Sequence, residues 1–132
     1  MLPVLVSCYG LRGQIVAIEQ PEIHLHPRAQ TSFAILLAAA VGRGVRIVVE
    51  THSSLLLRAI QTLVAQGEIS SDDIALHWFS RNPISGSTTV STAALDRFGS
   101  FGDWPEDFDE VTLKADHDYL TASEAAEAAI NE

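Results

Sequence analysis

The sequence predicts an α/β fold in which parallel strands are flanked by helices and followed by a β-hairpin. Two runs, an apolar one at residues 15–18 and a largely apolar one at residues 45–49, each lead into a cluster of polar residues. A helical pattern follows each run after a short connection. Strand, helix, strand and helix in this order is the arrangement that builds a parallel sheet with helices packed on it.

The first strand and helix are predicted from the pattern of apolar residues and from residues that favour the ends of these elements. Ile15–Ile18 is continuously apolar and ends at Glu19, which fits a strand buried on both faces. Pro27 suits the first turn of a helix, where its missing N–H costs nothing. Arg28–Val41 carries apolar residues at helical spacing, and Gly42 is expected to end the helix.

The second strand and helix repeat this arrangement. Val45–Thr51 is largely apolar and β-branched, and Ser53 or Ser54 can cap the helix that follows. That helix has an apolar stripe at residues 56, 60, 63 and 64. Both polar clusters therefore follow the carboxyl ends of strands, which is the edge where open α/β sheets bind ligands.

The rest of the chain has a different character. Ile74–Arg81 and Ser87–Thr92 flank a turn sequence and predict a hairpin, with Trp78 and Phe79 in the core. Residues 97–110 mix aromatic, glycine and acidic residues without a period, which is typical of an irregular loop. A C-terminal helix is predicted beyond them, with Thr121 or Ser123 as its cap.

Composition limits the class of protein. A chain of 132 residues corresponds to one domain. A single cysteine, Cys8, excludes an internal disulfide framework and favours a cytoplasmic setting. No apolar run reaches the roughly 18 residues that a membrane span needs, so no membrane partner is expected.

Charge is distributed unevenly along the chain. Residues 1–66 hold five basic and three acidic residues, whereas residues 67–132 hold three basic and fourteen acidic residues. The acidic half is a poor surface for DNA or an anionic membrane, and a solvated acidic surface is the simpler interpretation.

The first polar cluster is the feature most suggestive of function. Five polar side chains end the first strand and continue past it: Glu19, Gln20, Glu22, His24 and His26. Carboxylates and imidazoles at this density are compatible with a metal site, a nucleotide site or a plain loop.

Both strand ends resemble motifs of the ABC-type P-loop ATPases. Ile15–Ile18 with Glu19 and Gln20 resembles the Walker B strand, in which four apolar residues precede two acidic ones. The resemblance implies that Glu19 holds Mg²⁺ through water and that Gln20 stands at the general-base position. About thirty residues later the "ETHS" sequence places His52 where the switch histidine, a contact of the γ-phosphate, sits in these ATPases.

The segment between these motifs extends the resemblance. "PEIHLHP", at residues 21–27, looks like the D-loop region. Together with the sequence "DWPEDF" it makes the chain similar to ATPases related to the overcoming-lysogenization-defect family. The likeness is strong over residues 3–57 and implies a P-loop NTPase C-terminal lobe that uses ATP and Mg²⁺. It also implies that Glu22, His24 and His26 lie in the loop that touches the other half of an ATP sandwich dimer.

The chain departs from that family at the phosphate cradle. A P-loop ATPase needs the sequence G-x-x-x-x-G-K-[ST], but the single lysine here is Lys114 and no such motif is present. We therefore expect residues 1–96 to be the C-terminal lobe of an ATPase with its following hairpin, and residues 97–132 to be an acidic extension. Because the amide of Gln20 cannot accept a proton, and the cradle is missing, we do not expect ATP hydrolysis by this chain alone.

Two other functions stay open at this level. The chain could be a non-catalytic module that docks a chain bearing Walker A. It could instead be a metal-dependent hydrolase or nuclease that uses Glu19, Glu22, His24, His26 and His52. Expected partners are a second copy of the chain and the missing N-terminal lobe or a Walker A-bearing chain; nucleic acid is implied only by family analogy.

Overall fold

Strands and helices alternate along the first half of the chain, and a hairpin follows. The computed structural model describes residues 9–102 and 117–121. The elements are β1 (Ile15–Glu19), a 3₁₀ turn (Pro21–His24), α1 (Pro27–Gly42), β2 (Arg46–Glu50), α2 (Ser54–Ala65), a second 3₁₀ turn (Ser71–Asp73), β3 (Ala75–Arg81) and β4 (Thr88–Ala94).

β1 and β2 form a parallel pair. The register runs from Ile15 opposite Arg46 to Glu19 opposite Glu50, so the two strands end level with each other. The predicted parallel sheet is therefore confirmed, and with the two helices and the hairpin it gives the mixed α/β lobe that the sequence predicts.

The main core lies on one face of this sheet. Val16 and Ile18 of β1 belong to a single cluster with buried side chains of both helices, namely Phe33, Ala34, Leu37, Ala40, Leu56 and Ala59. Each helix thus contributes a stripe of apolar residues to the same layer. Because the two helices share one layer, the sheet has an inner face and an outer face.

The outer face is exposed, and the predicted burial of β1 on both faces is wrong. We call this the exposed sheet face; it consists of Ile15, Ala17, Glu19, Arg46, Val48 and Glu50. Ile15 and Val48 are 65% and 63% exposed. Burial along the continuous apolar run of β1 therefore alternates strictly from residue to residue, because α1 and α2 pack on the inner face.

Both helices begin at capping residues. Pro27 is the first residue of α1, as predicted, and His26 precedes it, with its Nδ1 accepting a hydrogen bond from the Arg28 N–H at 3.3 Å. Ser53 caps α2, and its Oγ accepts a hydrogen bond from the Leu56 N–H at 3.0 Å. These bonds satisfy amide groups that have no partner within the first helical turn.

The hairpin of β3 and β4 is antiparallel, as predicted, and packs at the far end of α2. A second cluster contains Val64, Leu95 and Phe101. Trp78 is half-buried, but Phe79 is 68% exposed, so the prediction of a core position for Phe79 is wrong. Neighbouring residues of a strand point to opposite faces, and only one face of this hairpin meets the cluster.

The structure agrees with only some of the predictions for the C-terminal part of the chain. Residues 97–102 form a turn closed by a bridge between Leu95 and Phe101. Residues 117–121 are helical, so Thr121 lies within a helix rather than at its start. Residues 103–110 and Ser123 lie outside the described residues. No helix in the described ranges is long and apolar enough to cross a membrane.

Candidate functional site

The carboxyl edge of the β1–β2 sheet brings together residues that lie about thirty positions apart in the sequence. Glu19 and Glu50 are register partners at the last position of their strands. Both carboxylates lie on the exposed sheet face, and His52 follows two residues after Glu50. Glu19 and His52 therefore lie at the same edge, which is the placement that the two strand-end motifs require.

The backbone at Gln20, the residue after β1, has an unusual conformation. Its φ and ψ angles are 42° and 57°, and it is the one residue other than glycine with a positive φ among the described residues. Its N–H donates a hydrogen bond to the Glu50 carbonyl oxygen at 2.8 Å, which extends the pairing of β1 and β2 by one step. A side chain in this region costs about 1–2 kcal/mol, and such strain tends to be kept at functional positions.

The Glu22 carboxylate connects the loop after β1 to the loop after β2. The Thr51 hydroxyl donates a hydrogen bond to Glu22 Oε2 at 2.8 Å, and the His52 N–H donates one to Glu22 Oε1 at 2.6 Å. The Ser53 N–H in turn donates to Thr51 Oγ1 at 3.0 Å. Both oxygens of one half-buried carboxylate are thus occupied by consecutive residues of the second loop.

A second connection runs from α1 to the same loop. The Ser53 hydroxyl donates a hydrogen bond to Gln30 Oε1 at 2.5 Å, and Gln30 Nε2 donates to the Leu25 carbonyl oxygen at 3.2 Å. The cap of α2 is therefore linked through Gln30 to the loop that carries the predicted D-loop residues.

The two histidines of the first loop have separate surroundings. His24 is exposed at the end of the 3₁₀ turn, and His26 is exposed at the start of α1, where its Nδ1 accepts the Arg28 N–H. Among residues 9–102 and 117–121, no three histidine, cysteine, aspartate or glutamate side chains are grouped so as to hold a metal ion. The described geometry gives no support to the metal-dependent hydrolase alternative.

The acidic pair fits a different kind of metal. Mg²⁺ usually keeps several waters and is held by one or two carboxylates together with substrate phosphates. Glu19 and Glu50 offer carboxylates of this kind at an open edge. These residues fit the part of a magnesium nucleotide site that a strand end supplies, and they do not form a closed cage.

Three contributors to this region were not singled out by the sequence analysis: Gln30, Glu50 and Thr51. Glu50 could have been found from the sequence, since it ends its strand as Glu19 does. Gln30 and Thr51 have no local signal, because each acts through a partner more than twenty residues away.

The fold belongs to the α/β class. A parallel strand pair with two helices on one face is consistent with a lobe of the P-loop NTPase type. Residues 1–58 match the model of a family described as "AAA domain, putative AbiEii toxin, Type IV TA system".

This match relates the first part of the chain to AAA-type P-loop ATPases and spans every predicted site residue from Glu19 to His52. The narrower likeness to the overcoming-lysogenization-defect family stays a prediction. No curated protein matches the chain, and no solved structure matches it.

Proposed function

We propose that this chain supplies the carboxylate and histidine half of an ATP site. Glu19 holds Mg²⁺ through water, Gln20 orients the attacking water, and His52 contacts the γ-phosphate. The observation that carries the proposal is the shared strand edge, with Glu19 beside Glu50 and His52 two residues further on. The relation of residues 1–58 to AAA domains supports it.

The chemistry of the chain's own residues is limited to positioning. Mg²⁺, when bound, supplies charge neutralisation at the phosphates. The Glu19 carboxylate accepts hydrogen bonds from the waters of that ion. The Gln20 amide can hold a water in line but cannot take its proton, so this position lacks the general base that typically contributes about 10²–10⁴-fold.

The proposal includes weak binding by the chain alone. In P-loop enzymes the phosphates are held mainly by the Walker A amides and lysine, and the sequence has no such motif. Two charge-assisted hydrogen bonds contribute about 3–6 kcal/mol, against an association cost of at least roughly 4 kcal/mol. We therefore expect Mg·ATP to bind the chain alone no more tightly than at millimolar concentration.

Calorimetry on the chain and its variants tests this function. Mg·ATP is titrated into the chain alone and into the chain mixed with an AAA-type lobe that carries Walker A. We expect binding and hydrolysis only in the mixture. Glu19→Gln should weaken the Mg²⁺-dependent binding there, and Gln20→Glu should raise hydrolysis.

Glu68→Gln is the matched control for Glu19→Gln, because Glu68 is an exposed glutamate beyond the end of α2. It should bind as the unaltered chain does. A micromolar dissociation constant for the chain alone would contradict the proposal, and so would equal effects of the Glu19 and Glu68 substitutions.

A second candidate function is docking without catalysis, and the exposed sheet face favours it. Parallel sheets in α/β proteins normally have both faces covered, yet Ile15 and Val48 are more than half exposed. The occupant that we propose is a lobe bearing Walker A, because that lobe contains the cradle which this sequence lacks. Val48→Lys should abolish binding to such a lobe, while Val90→Lys, at a 53% exposed position of β4, should not.

A further inference from the structure

Glu22 makes the most direct contact between the two loops at the carboxyl edge. Its two carboxylate oxygens accept hydrogen bonds from the Thr51 hydroxyl, at 2.8 Å, and from the His52 N–H, at 2.6 Å. Hydrogen bonds to a charged acceptor are shorter and about twice as strong as those between neutral groups. Glu22 therefore restrains the backbone at His52 itself.

The loop that carries His52 has little freedom once these bonds are formed. Only three residues, Thr51 to Ser53, separate β2 from α2. Thr51 and His52 bond to Glu22, and Ser53 bonds to both Thr51 and Gln30. Contacts with the first loop thus fix the backbone at His52, while the His52 side chain is exposed.

We propose that Glu22 is a positioning residue that sets His52 relative to Glu19. Glu22 lies three residues after Glu19, in the 3₁₀ turn that follows Gln20. Its bond to the His52 N–H therefore sets the distance between the predicted Mg²⁺ residue and the predicted γ-phosphate contact. This inference rests on the function proposed above and gives Glu22 a task within one chain, in addition to any contact across a dimer.

The Gln30–Ser53 bond provides a matched control. It joins the same two regions of the chain and also involves the loop after β2. It does not include the His52 N–H. Gln30→Ala therefore removes a connection of similar kind while leaving the Glu22 carboxylate and its two donors in place.

The first measurement is amide hydrogen exchange and amide proton chemical shift at His52, by NMR, in the nucleotide-free chain. Glu22→Gln leaves one neutral acceptor oxygen in place of the charged carboxylate, so the His52 N–H keeps at most a hydrogen bond to a neutral amide oxygen. We expect exchange at His52 to rise about tenfold, as the loss of a charge-assisted hydrogen bond implies, and its proton to move upfield. Gln30→Ala should leave both quantities as they are.

The second measurement separates positioning from a purely structural bond. Mn·ATP replaces Mg·ATP in the mixture of the chain with the Walker A-bearing lobe, and the paramagnetic broadening of the His52 ring protons is followed, since broadening depends steeply on distance from the ion. We expect Glu22→Gln to lose broadening at His52 while the signals near Glu19 stay broadened. Gln30→Ala should keep that broadening.

Each outcome decides between the alternatives. An unchanged His52 amide in Glu22→Gln would overturn the inference. A changed amide with unchanged broadening would show that Glu22 is a structural contact and does not position His52. If Mn·ATP broadens no signal near Glu19 in the mixture with the unaltered chain, the proposed ATP-site function fails, and the restraint of His52 by Glu22 is then judged by the amide measurement alone.

Discussion

Gln20 shows how a single residue combines strain with a predicted role. A left-handed backbone is open to glycine at no cost, yet the position holds glutamine with φ 42°. Strain of this kind persists only where the surrounding structure enforces it. Here the bond from the Gln20 N–H to the Glu50 carbonyl oxygen provides that enforcement.

Substitutions at Gln20 should therefore separate stability from function. Gln20→Gly removes the strain, although it also adds freedom to the unfolded chain, and Gln20→Ala keeps the strain. We expect the glycine variant to have a free energy of unfolding about 0.5–1 kcal/mol higher than the alanine variant. Chemical denaturation checks this difference, and both variants should lose the contribution of the amide to nucleotide hydrolysis. Equal stabilities would show that the left-handed backbone is absent in solution.

At the scale of elements, α2 belongs to two clusters of buried side chains. Leu56 and Ala59 pack with β1 and α1, whereas Val64 packs with Leu95 and Phe101 beyond the hairpin. The turn after β4 also contacts the helix directly, since Gln61 Nε2 donates a hydrogen bond to the Gly99 carbonyl oxygen at 2.9 Å. α2 is thus the element through which the parallel sheet and the hairpin are joined.

A substitution at Gly99 tests whether the turn after β4 packs on α2. It has a φ of 75°, and a Cβ atom there would overlap the backbone carbonyl of Gln61. Gly67 has a nearly equal φ of 76° with no atom within 4 Å of the same position, so Gly67→Ala carries the backbone strain alone. We expect Gly99→Ala to lower the free energy of unfolding by about 1–3 kcal/mol more than Gly67→Ala does.

Thermal unfolding followed by circular dichroism measures both glycine variants under the same conditions. A loss of near-ultraviolet signal from Trp78, which is half-buried in the hairpin, should accompany the destabilisation by Gly99→Ala. If the two variants unfold at the same temperature, the turn after β4 does not pack on α2 as described.

In the whole molecule, the exposed sheet face is the surface at which we expect another protein chain to bind. Within the described residues the β1–β2 pair has one open face, whereas parallel sheets are normally covered on both sides. Exposed apolar residues such as Ile15, Ala17 and Val48 on this face tend to mark sites of protein association. In the absence of a Walker A-bearing lobe, two copies of the chain can cover this face for each other.

We therefore expect self-association that depends on concentration and on Val48. Sedimentation velocity should show a growing dimer fraction as the concentration of the chain rises. Val48→Lys places a charge in the middle of the exposed sheet face and should shift the chain to monomer. Val90→Lys on the hairpin is the control and should leave the dimer fraction as it is. A monomer at all concentrations would contradict the association.

The local elements and the position of the candidate site follow from the sequence alone. Strand and helix boundaries follow from apolar periodicity, Pro27 and the Ser53 cap, all of which act between near neighbours along the chain. Parallel pairing follows from the order of these elements. Glu19 and His52 could be placed at one edge because Glu19 ends β1 and His52 follows the end of β2 by two residues.

The contacts that hold that edge, and the choice of which sheet face is open, depend on how distant segments pack. The bonds from Glu22 to Thr51 and His52 join residues 29 and 30 positions apart, and no periodic pattern records such a pairing. The exposure of Ile15 depends on where the helices pack. An apolar run has the same sequence pattern whether one face or both faces of its strand are covered. Local patterns depend on backbone geometry between neighbours, whereas these contacts exist only once distant segments have packed.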